Sequence, residues 1–564
     1  MATAFGRKLC CDLIQTHFGD LVQKVVKELA YRGPLALQDI ARFSGLNAAA
    51  LKSSILVLVQ HSCVQGFKVE HEGVGTAPAR TSTSYVAICD NILHRMRFPK
   101  FLMVVREELG EEAESLVEGL LEHGRLTLEQ IIQRTAAKAG KAEGQLAKEV
   151  KETFRALVEG HFIERCPAAE PSLQPKDAQE PPKKVPRGAA KVRGPILDAQ
   201  DAGAEVIQRI LRAASASETE RFQLPITMVT LSDPALANDL VDSAPTGQKR
   251  KHETLKMDSK TAAAVDEKEV LWRVNYEEFL RKLRHQTCVE MVKTRIDTGA
   301  AAILSAMLQV TRKQETSARQ HYSVPLSMDA IVQAVRSSPE GQHMPLERIR
   351  GVVSQLAADG IGYLSRSGER AGPSDGGNSY AINMRNIIEA RQKNEVEGII
   401  LQRFGRECCR IYRLLSIKGQ LEQKQIGERA MAPKNVKELL YRLLKEQYVQ
   451  VQEIAKTSEH IAIKSIFLWK VNHRAVLYRV LDDLYHAATN LCLRHGHEIQ
   501  KEQEVLGLVD QLDATREAGP DAHVPHVTLT STQQEQVRRI SRITSILDAS
   551  LLKLDDAILL FHDF

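Results

Sequence analysis

The chain has 564 residues, too many for a single hydrophobic core, and this length predicts about three to five domains. A composition of 43% hydrophobic, 26% charged and 5% aromatic residues predicts a mainly helical protein that folds over most of its length. The 76 basic and 71 acidic residues nearly cancel and leave a net charge of +5. This balance excludes a protein that holds duplex DNA alone through a long basic surface.

The nine cysteines follow no disulfide or zinc spacing, and no CxxC motif is present. This pattern favours reduced thiols and therefore the cytosol or the nucleus. The N-terminal residues lack the charged and apolar regions of a signal peptide, and the apolar run at 55–59 is far shorter than the ~20 residues that span a bilayer. We therefore expect a soluble intracellular protein that makes no membrane contact.

Four segments along the chain share one pattern: an apolar start, mostly polar residues, and a return to apolar or extended chain. They are LVQHSCV (58–64), LVEGHFI (157–163), LAADGIG (356–362) and LLKEQYV (443–449). Each one ends a long predicted helix that follows a strand-like patch, a small helix and a turn. The long helices are predicted at 47–61, about 142–159, 346–359 and 433–447.

A predicted strand, a polar or glycine-rich loop and a second strand follow three of the four copies. Helix, short strand, helix, turn, helix and hairpin is the order of a winged helix, a helix-turn-helix variant with a β wing. The second copy has a reduced wing, because FIERCP (162–167) runs directly into proline. We predict four tandem winged-helix domains at 7–90, 91–167, 269–390 and 391–473.

The segment 168–268 between the second and third domains changes character. It is rich in proline and polar residues without periodicity, which predicts a mostly disordered linker with a short helix around 204–213. QKRKH at 248–252 fits a nuclear-import signal, but so short a basic cluster is more often only solvated chain.

The last segment, 474–564, is helical throughout. Apolar residues recur at steps of three and four on both sides of a polar, proline-bearing stretch. This pattern predicts two helices that pair as an antiparallel coiled-coil hairpin. In the alternative interpretation, both helices simply pack on the fourth winged helix.

Motifs for catalysis are absent from the sequence. There is no phosphate-binding loop, no dinucleotide fingerprint, no HExxH, no GxSxG and no acidic metal cluster. HGH at 495–497 offers only two histidines, which favours a surface turn, and the Cys408–Cys409 pair fits a buried helix face. We expect no catalytic residue, no metal site, no cofactor and no small-molecule substrate.

The four long helices differ in their basic side chains. The first three carry few basic groups or offset them with acidic ones, which favours protein contact over DNA reading. On the fourth helix, basic groups and a tyrosine lie on one stripe opposite the apolar residues, an arrangement that can hold phosphates and stack a base. A solvated face or an acidic protein partner remains the alternative. The candidate nucleic-acid-binding residues are Lys434, Lys437, Tyr441, Arg442 and Lys445.

Several stretches resemble one family more closely than a generic winged helix. HFGDLVQKV (17–25), VLVQHSCV (57–64) and LHRMRFPKF (93–101) are similar to the start of the third-largest subunit of RNA polymerase III, which is related to the large subunit of TFIIE. GGNSYAIN (376–383) is similar to the strand that closes its third domain, and RFGRECCRIYRLL (403–415) with 421–454 resembles its fourth winged helix. The resemblance covers about 7–167 and 270–471. Ala455 departs from it, because the family usually has proline there.

The resemblance implies a non-catalytic subunit that forms a trimer with two smaller polymerase III-specific subunits in the nucleus. The trimer is expected on the clamp side of the polymerase core, where it contacts TFIIIB and promoter DNA, in particular single-stranded DNA. Its implied role is promoter recruitment, promoter opening and initiation of transfer RNA, 5S ribosomal RNA and other small RNAs. The nucleotidyl-transfer site is expected on other subunits.

Two other classes of protein remain as alternatives. A PCI-type scaffold of another complex also ends in a winged helix, but it normally has one such unit behind a helical solenoid. A DNA-binding transcription regulator would be a homodimer with basic recognition helices. The sparse basic side chains of the first long helix argue against that reading.

Overall fold

The computed structural model describes eleven stretches of the chain, and its described part is mainly helical with small antiparallel sheets, as predicted. Two compact units are present: Met1–Phe279 with Cys492–Ile540, and Leu280–Leu491 with Ser541–Phe564. The basic cluster at 248–252 and the residues between the predicted wing strands, at 72–79, 367–378 and 455–464, lie outside the described residues. The described residues are 3–71, 80–139, 143–168, 170–173, 206–214, 217–225, 270–366, 379–430, 435–454, 465–517 and 529–564.

The first unit begins with four helices and a small sheet. These elements are α1 (Ala4–Phe18), α2 (Asp20–Arg32), β1 (Leu35–Ala36), α3 (Leu37–Ser44), α4 (Ala48–Gln60), β2 (Val64–His71) and β3 (Arg80–Ala87). Strand β3 lies between β1 and β2 and is antiparallel to both. Gly45 ends α3 in the left-handed conformation, and the Asn47 side chain accepts a hydrogen bond from Ala50 N at 2.7 Å to start α4. These two local signals produce the turn between the small and the long helix.

A second helical group and its sheet follow in the same unit. Its elements are α5 (Cys89–Leu93), α6 (Phe98–Leu109), α7 (Glu111–His123), β4 (Leu126–Thr127), α8 (Leu128–Ala139), α9 (Glu143–Glu159), β5 (Ile163–Arg165) and β7 (Leu271–Val274). Strand β7 lies between β4 and β5 and is antiparallel to both. Its Trp272 is 1% exposed and meets Phe154 edge to face, 5.0 Å between ring centroids. These residues fall inside the predicted third domain (269–390), whereas β7 completes the sheet of the second group.

Short parts of the predicted linker pack on the first unit. They are β6 (Ser172–Leu173), α10 (206–214) and α11 (Glu218–Arg221). Strand β6 pairs in parallel with β2, and Ile210 of α10 is fully buried against Phe67 and Val86. Arg221 forms an ion pair with the buried Glu164 at 2.6 Å. The short helix predicted around 204–213 is present at 206–214, whereas β6 and α11 are ordered stretches that the prediction of a mostly disordered linker did not include. Most of the remainder of 168–268 lies outside the described residues.

The second unit contains two further helical groups. The elements of the first are α12 (Tyr276–Arg295), of which the second unit holds the part from Leu280, α13 (Thr298–Thr311), β8 (Leu326–Ser327), α14 (Met328–Ser337), α15 (Leu346–Ala358), β9 (Leu364–Arg366) and β10 (Ser379–Ile382). The elements of the second are α16 (Met384–Lys418), β11 (Gln420–Glu422), α17 (Gln423–Ala430), α18 (Val436–Lys445), β12 (Gln450–Ile454) and β13 (Ile466–Lys470). In each three-stranded sheet the last strand, β10 or β13, occupies the middle. Gly405 (φ 84°) breaks α16 into two helices.

Three more helices complete the described chain: α19 (His473–Lys501), α20 (Gln503–Glu517) and α21 (Ser531–Ile558), followed by a π-helical turn (Leu559–Asp563). In the second unit, Val476 and Val480 of α19 belong to the core that α18 also enters. Leu560 belongs to the core of α13–α15. The α19 contacts fit the alternative in which the terminal helices pack on the fourth winged helix, whereas Leu560 lies in the core of the third group. The coiled-coil hairpin predicted for 474–564 stays a prediction.

Three of the four repeated segments fold into one kind of backbone turn, in which a left-handed residue follows the long helix: Ser62 (φ 56°), His161 (φ 63°) and Gln447 (φ 65°). In the third copy α15 ends at Ala358, and the left-handed residue, Gly362 (φ 69°), comes only after a longer turn. A buried residue follows each one: Cys63, Phe162, Tyr363 and Tyr448. In three copies its N–H donates back to the helix, as from Tyr448 N to Leu443 O at 2.9 Å, which closes a Schellman turn. The turn directs the chain from the long helix into the sheet.

Candidate nucleic-acid interface on the fourth long helix

The helix α18 is held by an apolar face that packs into the surrounding core. Val436, Leu439, Leu440 and Leu443 are buried, and Leu444 packs on the same cluster while partly exposed. Their three- and four-residue spacing places them on one side of an α-helix. The core face predicted from the sequence is therefore confirmed, and the opposite face of α18 points to solvent.

The outward face carries three of the predicted site residues. Lys437 and Lys445 are exposed, and Tyr441 between them is 64% exposed. Residues four apart on a helix are neighbours on its surface, so the two ammonium groups flank the phenol ring. Among the described residues, none forms an ion pair or side-chain hydrogen bond with these three side chains. Lys434, the fourth member of the predicted stripe, lies outside the described residues.

Arg442 is exposed but lies beside this stripe. Its Nη2 contacts Glu438 Oε1 at 2.8 Å, in an i,i+4 pair whose two side chains are both exposed. Such a pair contributes only about 0.3–0.5 kcal/mol, so a phosphate can compete for the guanidinium. Arg442 is therefore a weaker candidate than the two lysines.

The wing beside α18 adds apolar groups that the sequence reasoning missed. In the β12–β13 hairpin, Ile454 and Phe467 are 42% and 44% exposed. Lys470 Nζ donates to Gln452 Oε1 at 2.7 Å across the same hairpin. An exposed phenylalanine on a wing offers a surface for base stacking or for an apolar partner. Its signal in the sequence was the aromatic pair in SIFLWK (465–470).

The long helices of the other three groups lack this surplus of basic groups. In α4, Lys52 is exposed together with Leu56, which is 69% exposed. In α9, Arg155 is paired with Glu159 at 2.7 Å, and in α15, Arg348 approaches Asp297 at 3.7 Å. As predicted from the sequence, α18 therefore differs from the other long helices in its basic groups, and the difference includes how these side chains are paired.

The described residues contain no arrangement typical of a metal site. No three His, Cys, Asp or Glu side chains lie together in this part of the chain so as to hold an ion. Cys408 and Cys409 are buried in the core beside α18, as predicted, and burial raises the pKa of both thiols. Within the same residues, no single helix has the length and composition to span a membrane, although Leu37–Ser44 and Ala48–Gln60 together pass that test with a 113° bend.

Three family models match successive parts of the chain. Residues 8–68 match the helix-turn-helix domain of RNA polymerase III subunit RPC82, residues 152–390 match the RNA polymerase III subunit RPC82 model, and residues 396–471 match the C-terminal winged-helix domain of POLR3C. The chain is similar to RPC82-family proteins over these three stretches. The resemblance seen in the sequence motifs is thus confirmed, and α18 lies inside a domain that the family describes as a winged helix.

Proteins similar to this chain carry one name across distant organisms. DNA-directed RNA polymerase III subunit RPC3 of Homo sapiens is 27% identical over 99% of this chain and 97% of its own length. The subunit of Danio rerio is 27% identical over 100% and 98%, and that of Dictyostelium discoideum is 23% identical over 99% and 100%. The similarity therefore extends over whole chains and includes the segments between the matched domains.

Proposed function

We propose that this chain is a non-catalytic subunit of RNA polymerase III. In this proposal it forms a trimer with two smaller polymerase III-specific subunits in the nucleus and docks on the clamp of the polymerase core. The trimer recruits the enzyme to TFIIIB and helps to open the promoter for synthesis of transfer RNA, 5S ribosomal RNA and other small RNAs. The observation that carries the proposal is the full-length similarity to RPC3 subunits.

The proposed architecture is four tandem winged-helix domains within 7–90, 91–167, 269–390 and 391–473. In the described part of the chain, four small sheets built mainly from antiparallel strands support it, each with strands that follow a long helix, and three of these helices end in a left-handed turn. Modules of this kind present several modest surfaces on one chain. Tethered weak contacts gain avidity from their linkage, which suits a scaffold that touches several partners.

For α18 we propose contact with single-stranded promoter DNA. Lys437 and Lys445 supply phosphate contacts, and the exposed ring of Tyr441 supplies a stacking surface. The neighbouring Phe467 of the wing offers a second ring. An acidic protein surface is the competing ligand for the same cations.

Photo-crosslinking to single-stranded promoter DNA tests this contact in the assembled enzyme. The variant Lys437→Ala/Lys445→Ala removes two exposed charges, and we expect weaker crosslinking with a salt slope lower by about one unit per lysine. Tyr441→Ala should weaken crosslinking with little change in salt slope. The matched control is Lys148→Ala/Lys151→Ala on α9, which removes the same charge from another long helix. If the Lys437→Ala/Lys445→Ala variant is folded and crosslinks as strongly as this control, the outward face of α18 would be assigned to protein contact.

Affinity purification with mass spectrometry tests the proposed identity of the assembly. The proposal predicts recovery of the other RNA polymerase III subunits in stoichiometric amounts. Recovery of proteasome or translation-initiation components would instead support the PCI-type scaffold. A self-associated dimer bound to one palindromic DNA sequence would support the transcription regulator.

A further inference from the structure

The second unit contains a wide cleft that the proposed function does not use. Its volume is about 890 Å³, and it is lined by the end of α12, the turn after α15, both halves of α16 and the start of α19. Basic side chains surround it. The cations that line it are Arg295, Arg385, Lys393 and Arg474, and the carboxylates are Glu389 and Glu397.

Both carboxylates of the cleft are already neutralised. Glu389 accepts a bond from Arg385 Nε at 2.7 Å, and Glu397 accepts one from Arg413 Nε at 2.5 Å. Arg413 is not part of the lining, so the second pair uses no cleft cation. The lining therefore keeps an excess of positive charge. This charge is concentrated in a concave surface, which strengthens attraction for an anionic ligand.

His473 adds a polar but uncharged group at the same edge. Burial lowers the pKa of its imidazole, and the nearby Lys393 ammonium lowers it further. A neutral imidazole at pH 7 can donate or accept a hydrogen bond without adding to the charge.

The base of the cleft is apolar. Val396, Tyr412 and Val476 line it and are at most 2% exposed, and Ile361, Ala390 and Leu477 contribute further carbon surface. The basic groups Arg295, Arg385, Lys393 and Arg474 are exposed by contrast. The cleft therefore combines an apolar base with a cationic edge.

We propose that this cleft binds an acidic peptide segment of a partner protein that inserts apolar side chains. The excess of cations complements aspartate and glutamate, and the aliphatic base accepts leucine-like side chains. A nucleic-acid strand fits less well, because the phenol ring of Tyr412 is buried and leaves only the small imidazole of His473 as a ring for stacking in the lining. A cavity of about 890 Å³ also accommodates a few side chains and not a duplex.

Fluorescence anisotropy with the full chain tests the proposal. The probe is a fluorescein-labelled synthetic peptide that alternates glutamate and leucine, and the competitor is unlabelled oligothymidylate. Arg295→Ala/Lys393→Ala removes two exposed cleft cations and should raise the Kd of the peptide on the order of tenfold. Lys313→Ala/Arg350→Ala removes two exposed cations of the same unit outside the cleft lining, and should leave the Kd unchanged.

Three results would overturn the proposal. One is that the wild-type chain does not bind the peptide. Another is an equal loss of affinity in both double variants, which would mean attraction to net charge alone. The third is a pair of observations: oligothymidylate displaces the peptide from the wild-type chain, and oligothymidylate binds the cleft variant more weakly than the wild type. Together they would make the cleft a nucleic-acid site. Lys437→Ala/Lys445→Ala should leave peptide binding intact, so failure of this proposal is distinguishable from failure of the α18 contact.

Discussion

Truncation of Leu443 to alanine tests whether α18 is held as the structure describes. The Leu443 side chain is fully buried in the cluster that contains Leu440 and Tyr448, and its carbonyl accepts the hydrogen bond that closes the turn after the helix. Loss of the buried leucine costs roughly 1.5–3 kcal/mol of transfer free energy. The cavity left in a close-packed core raises the total to about 2–5 kcal/mol.

Hydrogen exchange measured by mass spectrometry on the full chain reports this loss locally, which a single melting temperature of a multidomain protein does not. Peptides from α18 and the adjoining part of α16 should exchange faster by about 30-fold to several thousand-fold. Tyr441→Ala on the same helix is the control, and because that side chain is 64% exposed it should change stability by less than about 0.5 kcal/mol. If Leu443→Ala changed exchange no more than this control, the assignment of the buried face would be wrong.

Three further predictions concern the backbone and a histidine. A left-handed backbone costs a residue with a Cβ about 1–2 kcal/mol, and Gly124→Ala should destabilise the first unit by more than this because the added Cβ would collide with Gln60 O. Unchanged hydrogen exchange in residues 120–126 would contradict this prediction. At Gly362 (φ 69°) an added Cβ would make only an ordinary contact, 3.5 Å from Asn386 Nδ2, so Gly362→Ala should cost only that left-handed strain. An effect as large as that of Gly124→Ala would refute the comparison. Burial and, next to it, the charge of Arg95 lower the pKa of His61 to about 4. Between about pH 6.5 and 4 the imidazole is therefore protonated in the unfolded chain and neutral in the folded chain, so stability is lost as the pH falls through this range. His61→Gln should flatten this part of the stability–pH curve, and an unaltered curve would exclude His61 as its source.

Local sequence patterns predicted the parts of the fold that depend on near neighbours. The apolar spacing of α18 and the repeated turns ending at Ser62, His161 and Gln447 are examples, because helix faces and Schellman turns are formed by residues a few positions apart. The third copy was shifted, since Asp359 and Gly360 lengthen its turn and place the left-handed residue at Gly362. That shift depends on backbone geometry that the apolar pattern does not encode.

Pairings between distant segments were not predictable in the same way. Strand β7 has the alternating pattern of any short strand, and its partners are determined by the burial of Trp272 in a core formed earlier in the chain. The linker helix around Ile210 was itself predicted, but its packing against Phe67 and Val86 joins distant segments and was not predictable from the local pattern.

The candidate sites show the same difference between local and distant relations. Periodicity alone placed Lys437, Tyr441 and Lys445 on one outward face. Arg442 forms an i,i+4 ion pair with Glu438, which makes its guanidinium less available to a phosphate. The cleft of the second unit brings together cations such as Arg295 from segments that are far apart in the sequence. No local motif could therefore predict it.

Transcription by RNA polymerase III prepared without this chain tests the central claim most directly. Two templates are compared: a transfer RNA gene with TFIIIB, and a tailed duplex that needs neither promoter recruitment nor opening. The proposal predicts that the depleted enzyme extends RNA on the tailed template yet fails on the gene, and that added chain with its two smaller partners restores initiation. Full initiation on the gene without the chain, or loss of RNA extension on the tailed template, would contradict a non-catalytic role in initiation.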